Sequence, residues 1–453
     1  IERASTIFGE CTQLFLVQQQ TVSTQNGTRP LLSVQTSRGL VDEKFQIVVT
    51  NLPLKQEVTL HSLHQSEDND FWEAFGQYIS DEHGTVTVAK DESLGGTYKG
   101  TDPMGLLWSM RPIPGSQQGV RLRKRDVLTP MVVHISVYIG HLCQGFSHKT
   151  PLATSDTERW YIAPGVKRVN FSEKEVRGTL FIPPGPGPYP GVLDLWGASA
   201  GLIEYRAALL ASHGFVSMTL EYFPPKGLRL KDVHASYFEK AYQILKNHPM
   251  VQKDCLGMLG LCFGSAMTLR MVAYSKVIKP QCCVCISGSH LIPVNKSLFE
   301  RVITGLVHQK KIRVNEDNQE IHRDVIVAVS SDPDLKVDVG RIKCPLLLVN
   351  GDDDQTFPAV ESAEDMAMMM EKAGNRHLME VLTYHGTGHL IEPPYLPTIH
   401  STNYYLLWKK KERYAFVMLW GGQTKLHAYA QEDAWKKILT FLWQHLYISS
   451  ALH

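Results

Sequence analysis

Between residues 31 and 150 the apolar residues come in short runs, several of which alternate with polar ones. Leu31–Val34, Phe45–Val49, Val58–Leu63, Phe71–Ile79, Thr85–Ala89 and Met131–Ile139 are rich in β-branched and aromatic side chains. Turn formers such as Asn26-Gly27 and Gly95-Gly96 fall between them. A period of two, broken by turns, is the pattern of half-buried antiparallel strands. It predicts a β-sandwich over residues 1–150.

The texture changes after Val176. Beyond the stiff segment Pro183-Pro184-Gly185-Pro186-Gly187-Pro188, strand-like and helix-like segments take turns. Gly191–Leu195, Phe215–Leu220, Leu256–Leu261, Cys283–Ile286, Leu346–Val349 and Leu378–Tyr384 read as strands. Leu202–Ser212, Lys231–Asn247, Ser265–Tyr274, Ser362–Lys372 and Glu432–His445 read as helices. Such alternation predicts a mostly parallel sheet covered on both faces, an α/β domain over residues 151–453. Ser289–Arg341, between two of the strands, is expected to cap the site.

Composition narrows the class of function. Lys and Arg number 46 against 45 Asp and Glu, and 43% of residues are hydrophobic. With no block of like charge beyond Lys409-Lys410-Lys411, nucleic acid is not an expected partner. No uninterrupted apolar stretch is long enough for a transmembrane helix, and Leu14–Val17 is too brief for the core of a signal peptide. Eight cysteines in 453 residues fit a reducing compartment better than a disulfide scaffold. The sequons at Asn26, Asn170 and Asn295 carry little weight in that context. Cys282-Cys283-x-Cys285 has the look of a metal site, but neighbouring strand residues face opposite ways, so these sulfurs are read as small buried hydrophobes. No cofactor is expected, and nothing in the sequence specifies an oligomeric state.

The string Gly260-Leu261-Cys262-Phe263-Gly264 follows an apolar strand and opens a helix. It is the G-x-S-x-G nucleophile elbow of α/β-hydrolases with sulfur in place of oxygen. The residues two before and two after the nucleophile must be small, because strand and helix pack closely across a sharp turn. The turn lifts the Cys262 thiol above the sheet. In such folds an acid and a histidine follow on loops after later strands. Leu346–Val349 runs into Asp352-Asp353-Asp354, and Leu378–Tyr384 runs into His385-Gly386-Thr387-Gly388-His389. His389 is preferred over His385; among the acids Asp354 is preferred, though spacing alone barely separates it from Asp352 and Asp353. His389 would take the thiol proton or pair with the thiolate, and Asp354 would hold its tautomer. The oxyanion donors are expected at the backbone of Phe263 and in the loop Trp196-Gly197-Ala198, at Gly197 and Ala198.

Further strings carry a family likeness across nearly the whole chain. They include Leu94-Gly95-Gly96-Thr97-Tyr98-Lys99-Gly100, Pro103-Met104-Gly105-Leu106-Leu107-Trp108, Lys124-Arg125-Asp126-Val127 and Glu158-Arg159-Trp160-Tyr161. In the second half they are Gly201-Leu202-Ile203-Glu204-Tyr205-Arg206, Gly388-His389-Leu390-Ile391-Glu392-Pro393-Pro394-Tyr395 and Trp420-Gly421-Gly422. The sequence resembles the acyl-CoA thioesterase and bile acid-CoA:amino acid N-acyltransferase family. The resemblance implies a β-sandwich followed by an α/β-hydrolase domain, acyl-CoA as donor, coenzyme A entering as part of the substrate, and a triad of Cys262, Asp354 and His389. It thereby selects Asp354 among the three acids.

Members with Ser at the nucleophile position look like thioesterases; members with Cys look like transferases to glycine or taurine. Cys262 therefore points to amino-acid conjugation, with hydrolysis to free acid as the alternative. A small-ester hydrolase resembling dienelactone hydrolase and a non-catalytic binding protein on the same scaffold are the more distant readings. Two departures stand out: Tyr404–Leu419 looks longer than the family's stretch, and Leu426 precedes His427-Ala428 where proline is usual. The ending Ala451-Leu452-His453 does not match the peroxisomal tripeptide of several members, so the cytosol is the first expectation and the peroxisome the second.

Overall fold

A computed structural model describes residues 29–117, 119–173, 175–197, 201–222, 233–292, 311–327, 335–407 and 413–448. The chain divides into two compact units. One takes the chain up to Gly39, then Glu43–Ser116 and Met131–Arg159; the other takes Leu40–Asp42, Gln117–Pro130 and everything from Trp160 on.

The first unit is built from β1 (Leu31–Gln35), β2 (Arg38–Leu40), β3 (Gln46–Thr50), β4 (Glu57–Gln65), β5 (Phe71–Ile79), β6 (Val86–Thr87), β7 (Arg111–Pro112), β8 (Met131–Ile139) and β9 (Ala153–Trp160). A three-stranded sheet runs β1-β3-β6 and a six-stranded one runs β2-β9-β8-β4-β5-β7. The pairs β1–β3, β3–β6, β4–β5, β4–β8, β5–β7 and β8–β9 are antiparallel, as expected of a β-sandwich. Along β8 the inward positions Met131, Val133, Ile135 and Val137 are buried and the intervening ones are not, which is the period of two read from the sequence. β9 escaped that reading because it is largely polar: Ala153-Thr154-Ser155-Asp156-Thr157-Glu158-Arg159-Trp160 has no apolar alternation to see.

The second unit opens with β10 (Lys167–Glu173) and β11 (Val176–Ile182), followed by β12 (Tyr189–Leu195), β13 (Val216–Leu220), β14 (Val251–Leu261) and β15 (Cys282–Ile286). Two short strands, β16 (Arg313–Val314) and β17 (Gln319–Ile321), precede β18 (Leu346–Gly351), β19 (Met379–Tyr384), β20 (Ser401–Leu407) and β21 (Arg413–Leu419). The longer helices are α1 (Tyr205–Ser212), α2 (Ala235–Asn247), α3 (Phe263–Tyr274), α4 (Ala359–Lys372) and α5 (Thr424–Trp443). The main sheet has eight strands in the order β10-β11-β13-β12-β14-β15-β18-β19. From β13 to β19 neighbouring strands are parallel, while β11 is antiparallel to β10 and to β13. This is the α/β-hydrolase domain. β15 and β18 are buried at every position, so Cys282–Ile286 and Leu346–Val349 are unbroken apolar runs rather than alternating ones.

The order of strands places the site. From β12 the chain goes first to β13 on one side and then to β14 on the other. Strand order therefore reverses between β12 and β14, and a crevice opens beyond the carboxyl ends of strands at such a point. Near the carboxyl end of β12 lies an ion pair with both side chains almost fully buried, Asp194 of β12 with Arg206 of α1. Arg206 Nε donates to Asp194 Oδ1 at 2.8 Å and Nη2 donates to the Leu195 carbonyl at 3.1 Å. Burial pushes the Asp194 carboxyl up, and Arg206 pulls it back.

Several boundaries differ from the sequence reading, β14 starting at Val251 rather than Leu256 and α4 at Ala359 rather than Ser362 among them. α1 starts at Tyr205 rather than Leu202, because the Ile203 carbonyl accepts a hydrogen bond from Thr219 Oγ1 at 2.7 Å instead of serving the helix. α5 starts at Thr424 rather than Glu432: its first turns bury His427 and Gln431, polar residues that break the hydropathy period. Within the Tyr404–Leu419 stretch, residues 404–407 and 413–419 belong to the antiparallel strands β20 and β21, which join β17 and β16 in a second sheet of order β16-β17-β21-β20. Lys409-Lys410-Lys411, Asn26, Asn295, Leu14–Val17, Ala451-Leu452-His453 and residues 293–310 and 328–334 of the expected cap lie outside the described residues. Among the described residues no helix is long and apolar enough to cross a membrane.

Removing one partner of the buried pair leaves an uncompensated charge in the sheet. Arg206→Ala is expected to cost about 3–5 kcal/mol of stability, measured by urea unfolding, whereas exposed Arg38→Ala should change it little.

Candidate active site

Cys262 is the single residue between β14 and α3, with φ +58° and ψ −124°. A side chain held in that region costs about 1–3 kcal/mol and persists only where its surroundings over-determine it. The surroundings are explicit. The Cys262 N–H donates to the Ile286 carbonyl at 2.9 Å, and the Cys262 carbonyl accepts from Ser265 N at 3.0 Å. Ser265 Oγ lies 2.8 Å from the carbonyls of both Gly260 and Ile286. A Cβ at Gly260 would fall on the Gly264 carbonyl, and one at Gly264 would fall on the Leu195 carbonyl. The two glycines of the motif are thus required by contact, and the thiol above them is partly exposed.

The three adjacent acids go three separate ways. Asp352 Oδ2 pairs with His385 Nδ1 at 2.8 Å, and that imidazole is 85% exposed. Asp353 accepts from Gly422 N and Gln355 Nε2, each at 2.7 Å. Asp354 Oδ2 lies 2.8 Å from His389 Nδ1, with the acid side chain 2% exposed and the imidazole 0%. Asp354 Oδ1 accepts from the N–H groups of Thr356 and Phe357, both at 2.8 Å. One carboxylate oxygen is thereby fixed by backbone while the other is left for the ring.

His389 is held on both faces. Its ring stacks on Trp420 at 5.6 Å and 16°, and tilts against Phe357 at 5.3 Å. Its backbone N–H donates to the Trp420 carbonyl at 2.9 Å. Burial, the largest single influence, pushes its proton affinity down; the charges of Asp354 and of the Cys262 sulfur outweigh it and hold the imidazole up at about 10. Nε2, the nitrogen not used by Asp354, is buried and among the described residues makes no hydrogen bond of ordinary geometry, while the Cys262 side chain is close enough to the ring to add to its proton affinity.

Of the expected oxyanion donors, Phe263 opens α3 directly after the thiol. Gly197 follows the end of β12, so close that a Cβ on it would lie 3.0 Å from Cys262 Cβ and 3.3 Å from Sγ. Only glycine there leaves space above the sulfur. Ala198 lies outside the described residues. The cysteines of β15 are fully buried, with Cys283 Sγ 3.9 Å from Cys344 Sγ.

Several supporting residues gave no isolated signal in the sequence. Arg121 forms an ion pair with Glu392, which also accepts from the Tyr205 hydroxyl at 2.8 Å. The Arg121 and Arg206 guanidiniums lie 5.7 and 4.9 Å from the Trp196 ring. The Tyr222 hydroxyl donates to the Trp196 carbonyl. Tyr404, on β20, packs edge-on against Trp420 at 6.2 Å. His427, on α5, touches the loop that carries His389. Glu392 and Trp420 lay within strings already noted; Arg121 and His427 have partners distant in sequence, which no local pattern reports.

Comparison with known proteins accords with this architecture. Residues 233–448 match the BAAT / acyl-CoA thioester hydrolase C-terminal family, and residues 42–173 match the acyl-CoA thioester hydrolase/BAAT N-terminal region. The chain is 35% identical to the peroxisomal succinyl-coenzyme A thioesterase of Mus musculus, over 92% of this chain and 96% of that one. It is 35% identical to the mitochondrial acyl-coenzyme A thioesterase 2 of Homo sapiens, over 89% and 82%. It is likewise 35% identical to the bile acid-CoA:amino acid N-acyltransferase of Mus musculus, over 90% and 96%. Among solved structures it is similar to the 2,6-dihydroxy-pseudo-oxynicotine hydrolase, at 14% identity and a TM-score of 0.37 over 63% of this chain and 69% of that one. By family match and by full-length identity, the chain belongs to the acyl-CoA thioesterase and bile acid-CoA:amino acid N-acyltransferase family.

Proposed function

We propose that this protein is an enzyme that cleaves acyl-CoA through an acyl-Cys262 intermediate and passes the acyl group to the amine of glycine or taurine. The observation that carries the reading is a cysteine in the strained elbow, with a buried Asp354–His389 pair beside it. His389 rests as an imidazolium, since its proton affinity is raised to about 10 by Asp354 and the sulfur. The Cys262 sulfur attacks the thioester carbonyl, forming the new C–S bond. The Phe263 N–H and the N–H groups of Gly197 and Ala198 receive the oxyanion. Collapse breaks the bond to coenzyme A, whose sulfur leaves with the proton from His389 Nε2. The neutral amine then attacks acyl-Cys262, His389 takes its proton, and amide formation releases the sulfur. Asp354 stays ionised throughout and holds the imidazole in register.

Sulfur at this position supports transfer over hydrolysis. An acyl-cysteine is itself a thioester, and amines attack thioesters far more readily than water does. Hydrolysis is the second reading, favoured by the names of the thioesterase relatives at the same identity. In either reading coenzyme A enters with the substrate and no further cofactor takes part.

The two readings separate in one experiment. The protein is incubated with a panel of acyl-CoAs, with and without glycine or taurine, and protein and products are analysed by mass spectrometry. An acyl adduct on Cys262 with amine-dependent conjugate is the expected result; free acid alone would mean a thioesterase. Cys262→Ala should abolish turnover with the fold intact, and turnover retained in that variant would end the proposal. Cys262→Ser should shift product from conjugate toward free acid. A pH series tests the ion pair. A histidine raised from 6.5 to about 10 on folding adds stability that is complete below pH 6.5 and is lost as pH rises through about 10. Asp354→Asn keeps acceptors for Thr356 and Phe357 but removes the charge. Its stability deficit in urea unfolding should be largest on the acid side of that window and shrink toward pH 10.

A further inference from the structure

His427 lies in the first turns of α5 and is 1% exposed. Its Nδ1 accepts from the Gly388 N–H at 3.0 Å, and its Nε2 lies 2.8 Å from the Leu390 carbonyl. A carbonyl oxygen only accepts, so Nε2 carries the proton and Nδ1 carries the lone pair. Both nitrogens are therefore committed, with one tautomer fixed by backbone alone. Gly388 and Leu390 are the neighbours of His389 on either side. One imidazole thus spans the peptide segment from which the other projects. The segment is closely packed: a Cβ at Gly388 would fall on the Gly421 backbone, and one at Gly422 would lie 2.6 Å from His427 Nδ1.

The brace requires a neutral ring. Protonation of Nδ1 would remove the acceptor for Gly388 and turn two N–H groups toward each other. Burial pushes the His427 imidazole down to about 4; the Leu390 carbonyl, Asp354 and Asp353 favour its charged form, and His389 opposes it. His427 accordingly stays neutral at a pH where His389 is charged. Two buried histidines of one site hold opposite states, one to move a proton and the other to hold backbone.

We infer that His427 is a positioning residue: as a neutral Nε2–H tautomer it clamps Gly388 and Leu390 and so aims the His389 ring between Asp354 and Cys262. The inference rests on the reading of His389 as the residue that exchanges protons with Cys262. Tyr384, Asp433 and the surface pair Asp352–His385 take no part in it, since their hydrogen bonds do not reach the segment 388–390.

The test compares wild type with His427→Ala, His427→Gln and His389→Ala, each checked for cooperative thermal unfolding. The rate of Cys262 acylation by an acyl-CoA is followed by rapid-quench mass spectrometry across pH. A misplaced catalytic group costs on the order of 10²-fold in rate, so His427→Ala should lose about that much acylation while KM for acyl-CoA changes little. The limb of the pH profile that closes as His389 loses its proton should move down from about 10, because Asp354 no longer faces the ring squarely. His427→Gln, whose amide offers a donor and an acceptor, should recover part of the rate, and it reports on the clamp if the alanine variant does not fold. Acylation at the wild-type rate with an unmoved pH limb in both His427 variants would overturn the inference. A rise in KM alone would do the same. His389→Ala separates the two claims: if it still acylates Cys262, the parent reading fails; if it is dead while the His427 variants behave as wild type, only the clamp fails.

Discussion

The Leu195 and Trp196 carbonyls, at the end of β12, occupy the place where a Cβ on Gly264 would have to go. α3 therefore meets β12 closely at Gly264, and Cys262 makes the turn between β14 and α3 with a positive φ. Everything chemical about the site follows from that close approach. It puts the thiol at the start of a helix, brings Gly197 against the sulfur, and sets Cys262 in the crevice where the strand order reverses. A methyl group at any of the three glycines would have to push backbone or sulfur aside.

Charge is then arranged in pairs that are each closed locally. Asp194 is answered by Arg206 beneath Trp196, Glu392 by Arg121, and Asp354 by His389. A buried charge is tolerable only when its partner is fixed, and here each partner comes from a different element of the same unit. The consequence is a site with little freedom to rearrange around the His389 ring. Preorganised dipoles and charges of this kind do not need to reorient when charge develops in a bound acyl group.

Periodic and local features were legible in the sequence. Alternation in β8, unbroken apolar runs in β15 and β18, and the glycine-framed cysteine each follow from contacts within a few residues, so the chain itself carries the signal. The three acids were not separable by spacing, because Asp352, Asp353 and Asp354 differ only in what the loop folds them against. β9 and the first turns of α5 were missed for a related reason. Their polar residues are buried against tertiary partners, Arg159 against Thr36 and the Phe45 ring and His427 against Gly388 and Leu390, and hydropathy reads such positions as surface. Tyr404–Leu419 stood out in the sequence only as a stretch longer than the family's, and its described residues belong to β20 and β21. It joins a small sheet with β17, and Trp420 just beyond it stacks on His389.

The way the chain threads between its units bears on how this architecture can be inherited. The hydrolase unit does not begin at Trp160; it also owns Leu40–Asp42 and Gln117–Pro130, segments that lie among the strands of the sandwich in sequence. Arg121 reaches Glu392 from the second of these, and Asp42 from the first accepts from Trp435 Nε1 at 2.7 Å. A gene cut at the apparent end of the sandwich would therefore yield a hydrolase stripped of one buried guanidinium and one buried carboxylate. Exchange of the amino-terminal half between relatives would carry both away together.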